Sequence, residues 1–174
     1  MAGVSDAPPL ILTPDLDPTT FARFEALRRA HFPPERNFIP AHVTLFHALP
    51  GEREAEVRAD LREVCDETTP FALAFPRLRF LGRGVAAEVE APPLTRLRAR
   101  LAERWRPWLT RQDAQPWRPH LTVQNKVAPE AARALFEGLS ASWELPDGRA
   151  EGLRLWRYLG GPWEALETLP FAQG

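Results

Sequence analysis

The stretches Pro40-Ala41-His42-Val43-Thr44-Leu45 and Arg118-Pro119-His120-Leu121-Thr122-Val123 repeat one pattern 78 positions apart: a histidine, an apolar residue, a threonine and another apolar residue. In an extended chain residues i and i+2 point the same way, so each imidazole has a hydroxyl beside it. The alternate residues, Val43 and Leu45 or Leu121 and Val123, anchor the segment from its other face. Threonine fills 10 of 174 positions, so chance rarely gives two of four histidines such a partner. A single copy carries little weight, because a strand histidine is often only a packed or surface residue. Two copies in matched surroundings carry more.

The surroundings do match. Leu10 to Thr13 reads as a strand, Asp17 caps a helix with Pro18 in its first position, and Phe21, Phe24 and Leu27 recur at helical spacing. A proline-rich loop, Phe32 to Pro40, leads to a strand expected from His42 to Leu49. Its alternation puts Val43, Leu45 and Leu49 on one face and His42, Thr44 and Phe46 on the other. An amphipathic helix from Gly51 to Asp66 follows, then strands Phe71 to Phe75 and Leu78 to Leu81 divided by Pro76.

The second half opens with strand Val85 to Val89 and a helix striped by Leu94, Leu97, Leu101, Trp105 and Trp108. Strand His120 to Val123, a helix from Pro129 to Leu139 and a hairpin (Leu153 to Tyr158, Trp163 to Leu169) complete it. The order strand, helix, motif strand, helix, strand, strand thus occurs twice, over about residues 9–81 and 85–169. The expected fold is α+β, one bilobal domain over 1–174, a pseudo-twofold duplication that brings both motifs to a central cleft.

Composition limits the function classes. An apolar fraction of 44% and a charged fraction of 26% are those of an ordinary globular protein. No apolar run approaches the roughly 20 residues of a membrane span, so no membrane partner is expected. The first nine residues lack the pattern of a signal peptide, and the lone Cys65 has no intrachain disulfide partner; both fit a cytoplasmic protein. A net charge of −1 argues against a broad nucleic-acid-binding surface. No obligate protein partner is indicated, and a monomer is expected.

Two imidazoles facing one cleft suit a reaction that needs a general base and a general acid in one step. Histidine titrates near neutrality, so a neutral and a protonated copy can coexist there, giving a bell-shaped pH dependence with its maximum near neutral pH. Threonine hydroxyls can hold the non-bridging oxygens of a phosphate. No histidine has the spacing of a zinc helix, so neither metal nor cofactor is expected.

The paired motifs, their separation and the closing hairpin resemble the 2H phosphoesterase superfamily, which includes 2'-5' RNA ligase-like and cyclic phosphodiesterase proteins. The resemblance spans nearly the whole chain and implies two antiparallel sheets flanking the cleft, with helices outside. It implies His42 and His120 as catalytic residues and Thr44 and Thr122 as phosphate ligands. It further implies His120 as the base and His42 as the acid. The implied activity is hydrolysis of 2',3'-cyclic phosphates or 2'-5' phosphodiesters at the ends of RNA or of nucleotides, or 2'-5' ligation. A cyclic phosphodiesterase of small nucleotides or ADP-ribose, and a non-catalytic binder of phosphorylated RNA ends, remain open alternatives.

Other candidates surround this set. Phe46, Trp156 and Tyr158 could stack a base, and Arg118 and Arg157 could hold further phosphates. His31 and His47 are expected to be structural, His47 because alternation turns it away from His42, and Cys65 is expected in the core.

Overall fold

The computed structural model describes residues 6–174. Strand β1 (Leu10–Leu16) leads into α1 (Pro18–His31), where the Asp17 side chain caps the Thr20 N–H as the sequence suggests. Strand β2 (Phe46–Leu49), α2 (Glu54–Asp66), β3 (Phe71–Ala74), β4 (Leu78–Phe80) and β5 (Val85–Glu88) follow. The chain continues through α3 (Pro92–Arg104), β6 (His120–Gln124), α4 (Pro129–Ala141), β7 (Asp147–Tyr158) and β8 (Trp163–Pro170). Among the described residues no helix is long and apolar enough to cross a membrane.

The strands form two antiparallel sheets. In the larger, β7 is the spine: β1 pairs along one edge from Ala150 to Arg157, while β3 and then β8 share the other. Strand β2 extends this sheet beyond β1. At the hand-over between β3 and β8 a side chain would collide with the sheet, since a Cβ on Gly152 would lie 2.3 Å from the Leu169 carbonyl oxygen. The smaller sheet runs β4-β5-β6.

The halves 9–81 and 85–169 therefore do not build one sheet each. The spine strand of the second half pairs with β1 and β3 of the first, and β4 of the first half joins β5 and β6. Buried residues of both sheets merge into one apolar cluster. Phe24 of α1 sits at its centre, fully buried, with its ring centroid 4.4 Å from that of Phe75. Helix α2 buries Val57, Leu61, Val64 and Cys65, and the Trp105 indole at the end of α3 donates to Asp60 of α2 at 2.8 Å. Helix α4 buries only Ala132 fully; Leu135, Phe136 and Leu139 pack against the core from a half-exposed position.

The first motif departs from expectation. The ladder begins at Phe46, not His42, and its register slips by one residue, Leu12 facing Phe46 but Leu10 facing Leu49. Leu45 and Phe46 are both buried and His47 is exposed, so the alternation expected from His42 breaks where the chain enters the ladder at Phe46. Phe24→Ala should cost about 3–5 kcal/mol of stability. Urea unfolding measures it, and a loss below about 1 kcal/mol would show that the site collapses around the missing ring.

Candidate active site

The extended segment of the first motif lies outside the ladder, and four of its backbone polar groups find partners on β1, α1, α3 and the loop before β6. The Ala41 N–H donates to Glu25 Oε2 (3.2 Å), and the Leu45 N–H to the Leu12 carbonyl (2.8 Å). The Thr44 carbonyl accepts from the Trp117 indole (3.0 Å) and the Leu45 carbonyl from Arg98 Nε (3.2 Å). Side chains from α1, α3 and the loop before β6 thus replace a neighbouring strand, while Val43 and Leu45 are buried beneath.

The second motif is a regular strand, with Thr122 facing Ala86 and His120 facing Glu88 on β5. The Thr122 carbonyl accepts from Nη1 of Arg28 at 2.8 Å. Arg28, itself buried on α1, also donates to Asn37 Oδ1 through Nε and Nη2.

Both imidazoles are held alike. His42 Nδ1 lies 2.8 Å from the Pro40 carbonyl and His120 Nδ1 2.9 Å from the Arg118 carbonyl, in each case two residues upstream. A carbonyl can only accept, so each Nδ1 carries hydrogen and Nε2 is left for a substrate. The two threonine hydroxyls bond to no other described residue. His42, Thr44, His120 and Thr122 line one pocket of about 220 Å³. Arg79, Arg98 and Arg118 line it too, against one carboxylate, Asp113. Such a lining favours an anion.

Burial first, and then the charges of Arg28, His120 and His47, push the His42 imidazole down to about 4, the Pro40 carbonyl opposing them. His120 is also lowered, by burial and by the nearby charges of Arg79, His47 and Arg118, against the pull of the Arg118 carbonyl. These surroundings therefore disfavour imidazolium at both positions. Arg79 belongs to a row across the smaller sheet, Arg79–Ala86–Thr122, and small Ala86 leaves it room. Its Nη1 lies 3.3 Å from His120 Nδ1, while Nε bonds Glu88 (3.2 Å).

Several expectations need correction. Phe46 is fully buried under the Arg98 guanidinium, 4.4 Å from ring centroid to Cζ, and offers no face to a base. His47 lines the pocket, its Nδ1 3.1 Å from Asp113 Oδ1. Asp113 also accepts from the His47 and Ala48 N–H groups, and these bonds hold its carboxyl below the usual range despite burial. Arg157 points to the other face of the sheet and pairs with Glu54 (2.7 Å) and Glu164 (3.1 Å). Tyr158 is exposed at the end of β7, apart from the pocket lining. Trp156 is buried, with its indole donating to Thr13 Oγ1 at 3.0 Å. Arg118 is exposed at the pocket wall.

Sequence reasoning missed Arg79, Arg98 and Trp163, whose ring centroid is 4.7 Å from that of His42. The one available signal was Arg77-Leu78-Arg79, whose alternation gives a strand one charged face. Cys65 is in the core, its thiol pushed up to about 12 by burial.

The chain belongs to the 2'-5' RNA ligase superfamily, whose profile matches residues 16–162. A search of curated proteins finds no significant match. Among solved structures, TT0787 of Thermus thermophilus is 19% identical with a TM-score of 0.68, covering 95% of this chain and 98% of its own. E. coli LigT complexed with 3'-AMP is 19% identical with a TM-score of 0.59, covering 97% and 100%. A phosphoesterase, also 19% identical, aligns with a TM-score of 0.57 over 97% and 100%. At this identity they show a shared fold.

Because the folded His42 holds a proton less tightly than an unfolded histidine at 6.5, the unfolded chain takes up more protons between about pH 6.5 and 4. Stability should fall across that window as pH drops, by up to roughly 3 kcal/mol from His42, and this contribution is flat above it. In His42→Gln the acid limb should be shallower when urea midpoints are compared from pH 4 to 8. Equal slopes in variant and wild type would contradict the burial of this ring's charge.

Proposed function

We propose that this chain is a metal-independent phosphoesterase that acts by two-histidine acid–base catalysis on 2',3'-cyclic phosphate or 2'-5' phosphodiester ends of RNA or of nucleotides. The observation that carries the reading is the matched pair of imidazoles, each pinned at Nδ1 and flanked by a threonine, in one cationic pocket. Membership of the superfamily and the LigT-like fold support it. So does the like pinning of the two imidazoles, each to a carbonyl two residues upstream, which favours a duplicated unit with the pocket as the cleft between its halves.

In hydrolysis, water attacks phosphorus in line with the departing ribose oxygen, so base and acid act from opposite sides. His120, beside the Arg79 cation, is the neutral ring that takes the proton of water at Nε2. His42 delivers a proton to the leaving oxygen. Thr44 and Thr122 hold the non-bridging oxygens, and the arginine-lined wall balances their charge.

This assignment requires His42 to be protonated although the protein surroundings favour the neutral ring. An anionic substrate supplies the missing counter-charge and raises its affinity for a proton. The expectation of a neutral optimum therefore changes for the free enzyme. The maximum of kcat/KM should lie on the acid side of 6.5, with that of kcat at higher pH.

The test is turnover of 2',3'-cyclic nucleotides and cyclic-phosphate-ended RNA in excess chelator. Activity should persist, and His42→Ala and His120→Ala should each lose about 10²–10⁴-fold. A substrate with a very good leaving group should partly restore the His42 variant alone. Restoration of His120→Ala alone would reverse the roles, and dependence on an added divalent ion would overturn the metal-free chemistry. Binding of phosphorylated RNA ends without turnover would leave a binding module instead.

A further inference from the structure

A second pocket of about 300 Å³ adjoins the first, and His42 lines both. That volume is at the lower end for small-ligand sites, roughly 300–1,000 Å³. Its walls are mostly apolar, including Leu16, Phe21 and Trp156. One acidic side chain, Asp15 on β1, stands among them. The Asp15 carboxylate is half-buried and bonds to no other described residue. Burial accordingly raises its carboxyl above the usual range, Arg154 opposing and Glu151 adding to the rise. A desolvated carboxylate lacking hydrogen-bond donors is costly unless a ligand supplies them.

Arg154 lies over Trp156, Cζ 4.3 Å from the ring centroid. The indole therefore does not offer that face to a base. The guanidinium does, as a flat cation of the kind on which nucleobases stack in single-stranded RNA recognition.

We infer that this second pocket is a nucleobase subsite selective for guanine, with Asp15 accepting from the Watson–Crick edge and Arg154 stacked on the base. An ionised carboxylate has two acceptor oxygens and no donor. Guanine presents two adjacent donors, N1–H and N2–H, on that edge. Adenine and cytosine place a ring-nitrogen acceptor beside their amine, and uracil flanks its one N–H with carbonyls, so each sets an acceptor against the carboxylate. The inference rests on the proposed chemistry of the neighbouring pocket, because a base seated here places its ribose phosphate past His42.

The experiment measures kcat/KM for the four nucleoside 2',3'-cyclic phosphates with wild type and Asp15→Ala. Removing a carboxylate without hydrogen bonds leaves the fold intact, and thermal unfolding checks this. Wild type should favour the guanine substrate by about tenfold or more, the scale of one bidentate base contact, mainly through KM. In Asp15→Ala that value should fall toward those of the other three. Equal use of all four bases by wild type, or an equal loss on all four in the variant, would overturn the inference. If no substrate turns over, the hydrolytic reading fails separately. Calorimetric binding of the four nucleoside 3'-monophosphates then decides: a guanosine preference lost in Asp15→Ala sustains the subsite, and its absence refutes it.

Discussion

One turn of α1 holds the two motifs together. Arg28 reaches from it to the Thr122 carbonyl on the edge strand of the smaller sheet, and Glu25, three residues earlier, accepts from the Ala41 N–H before His42. Burying a guanidinium is expensive unless it is hydrogen-bonded. Here Asn37 and Thr122 take its donors, Phe32 lies under its plane at 4.4 Å, and Glu25 supplies nearby negative charge. Hydrogen bonds to charged groups contribute about 1.5–3 kcal/mol each. Without Arg28 the Thr122 carbonyl loses its donor, and neither sheet by itself fixes the distance between the histidines.

Arg98 plays the corresponding part from α3. It ties the Leu45 carbonyl to the Asp113 carbonyl and caps Phe46, so the segment after His42 is fixed to the loop that walls the pocket. Both arginines donate to neutral carbonyl and amide oxygens rather than to carboxylates. The Arg28 charge is among those that keep His42 neutral, and Arg98 lines the pocket with a cation that favours an anion.

Much of this was legible in the sequence, and the reasons are local. The Asp17-Pro18 start of α1, the stripes of α2 and α3 and the regular strand at His120 follow from capping and periodicity, which neighbouring residues decide. The motif spacing by itself led to four of the residues that line the pocket, His42, Thr44, His120 and Thr122. What escaped depended on contacts distant in sequence. The faces assigned to Phe46 and His47 were inverted because the chain joins β1 only at Phe46, and the irregular segment from His42 to Leu45 has no signature in composition. Arg157 was captured by Glu54, 103 residues away. Nothing in their local sequence sets Arg28 and Arg98 apart from the other helix arginines, and only the tertiary fold shows them buried.

The proposed chemistry needs imidazoles that are bound at Nδ1, neutral in the protein alone, and raised in proton affinity by a phosphate. Nitrogen-detected NMR titration of the four histidines, with and without inorganic phosphate, tests it directly. The expected result is that His42 and His120 are Nδ1–H tautomers in the free protein, His42 staying neutral down to about pH 4, and that phosphate moves both titrations upward. A His42 that titrates at 6.5 with or without phosphate would contradict it.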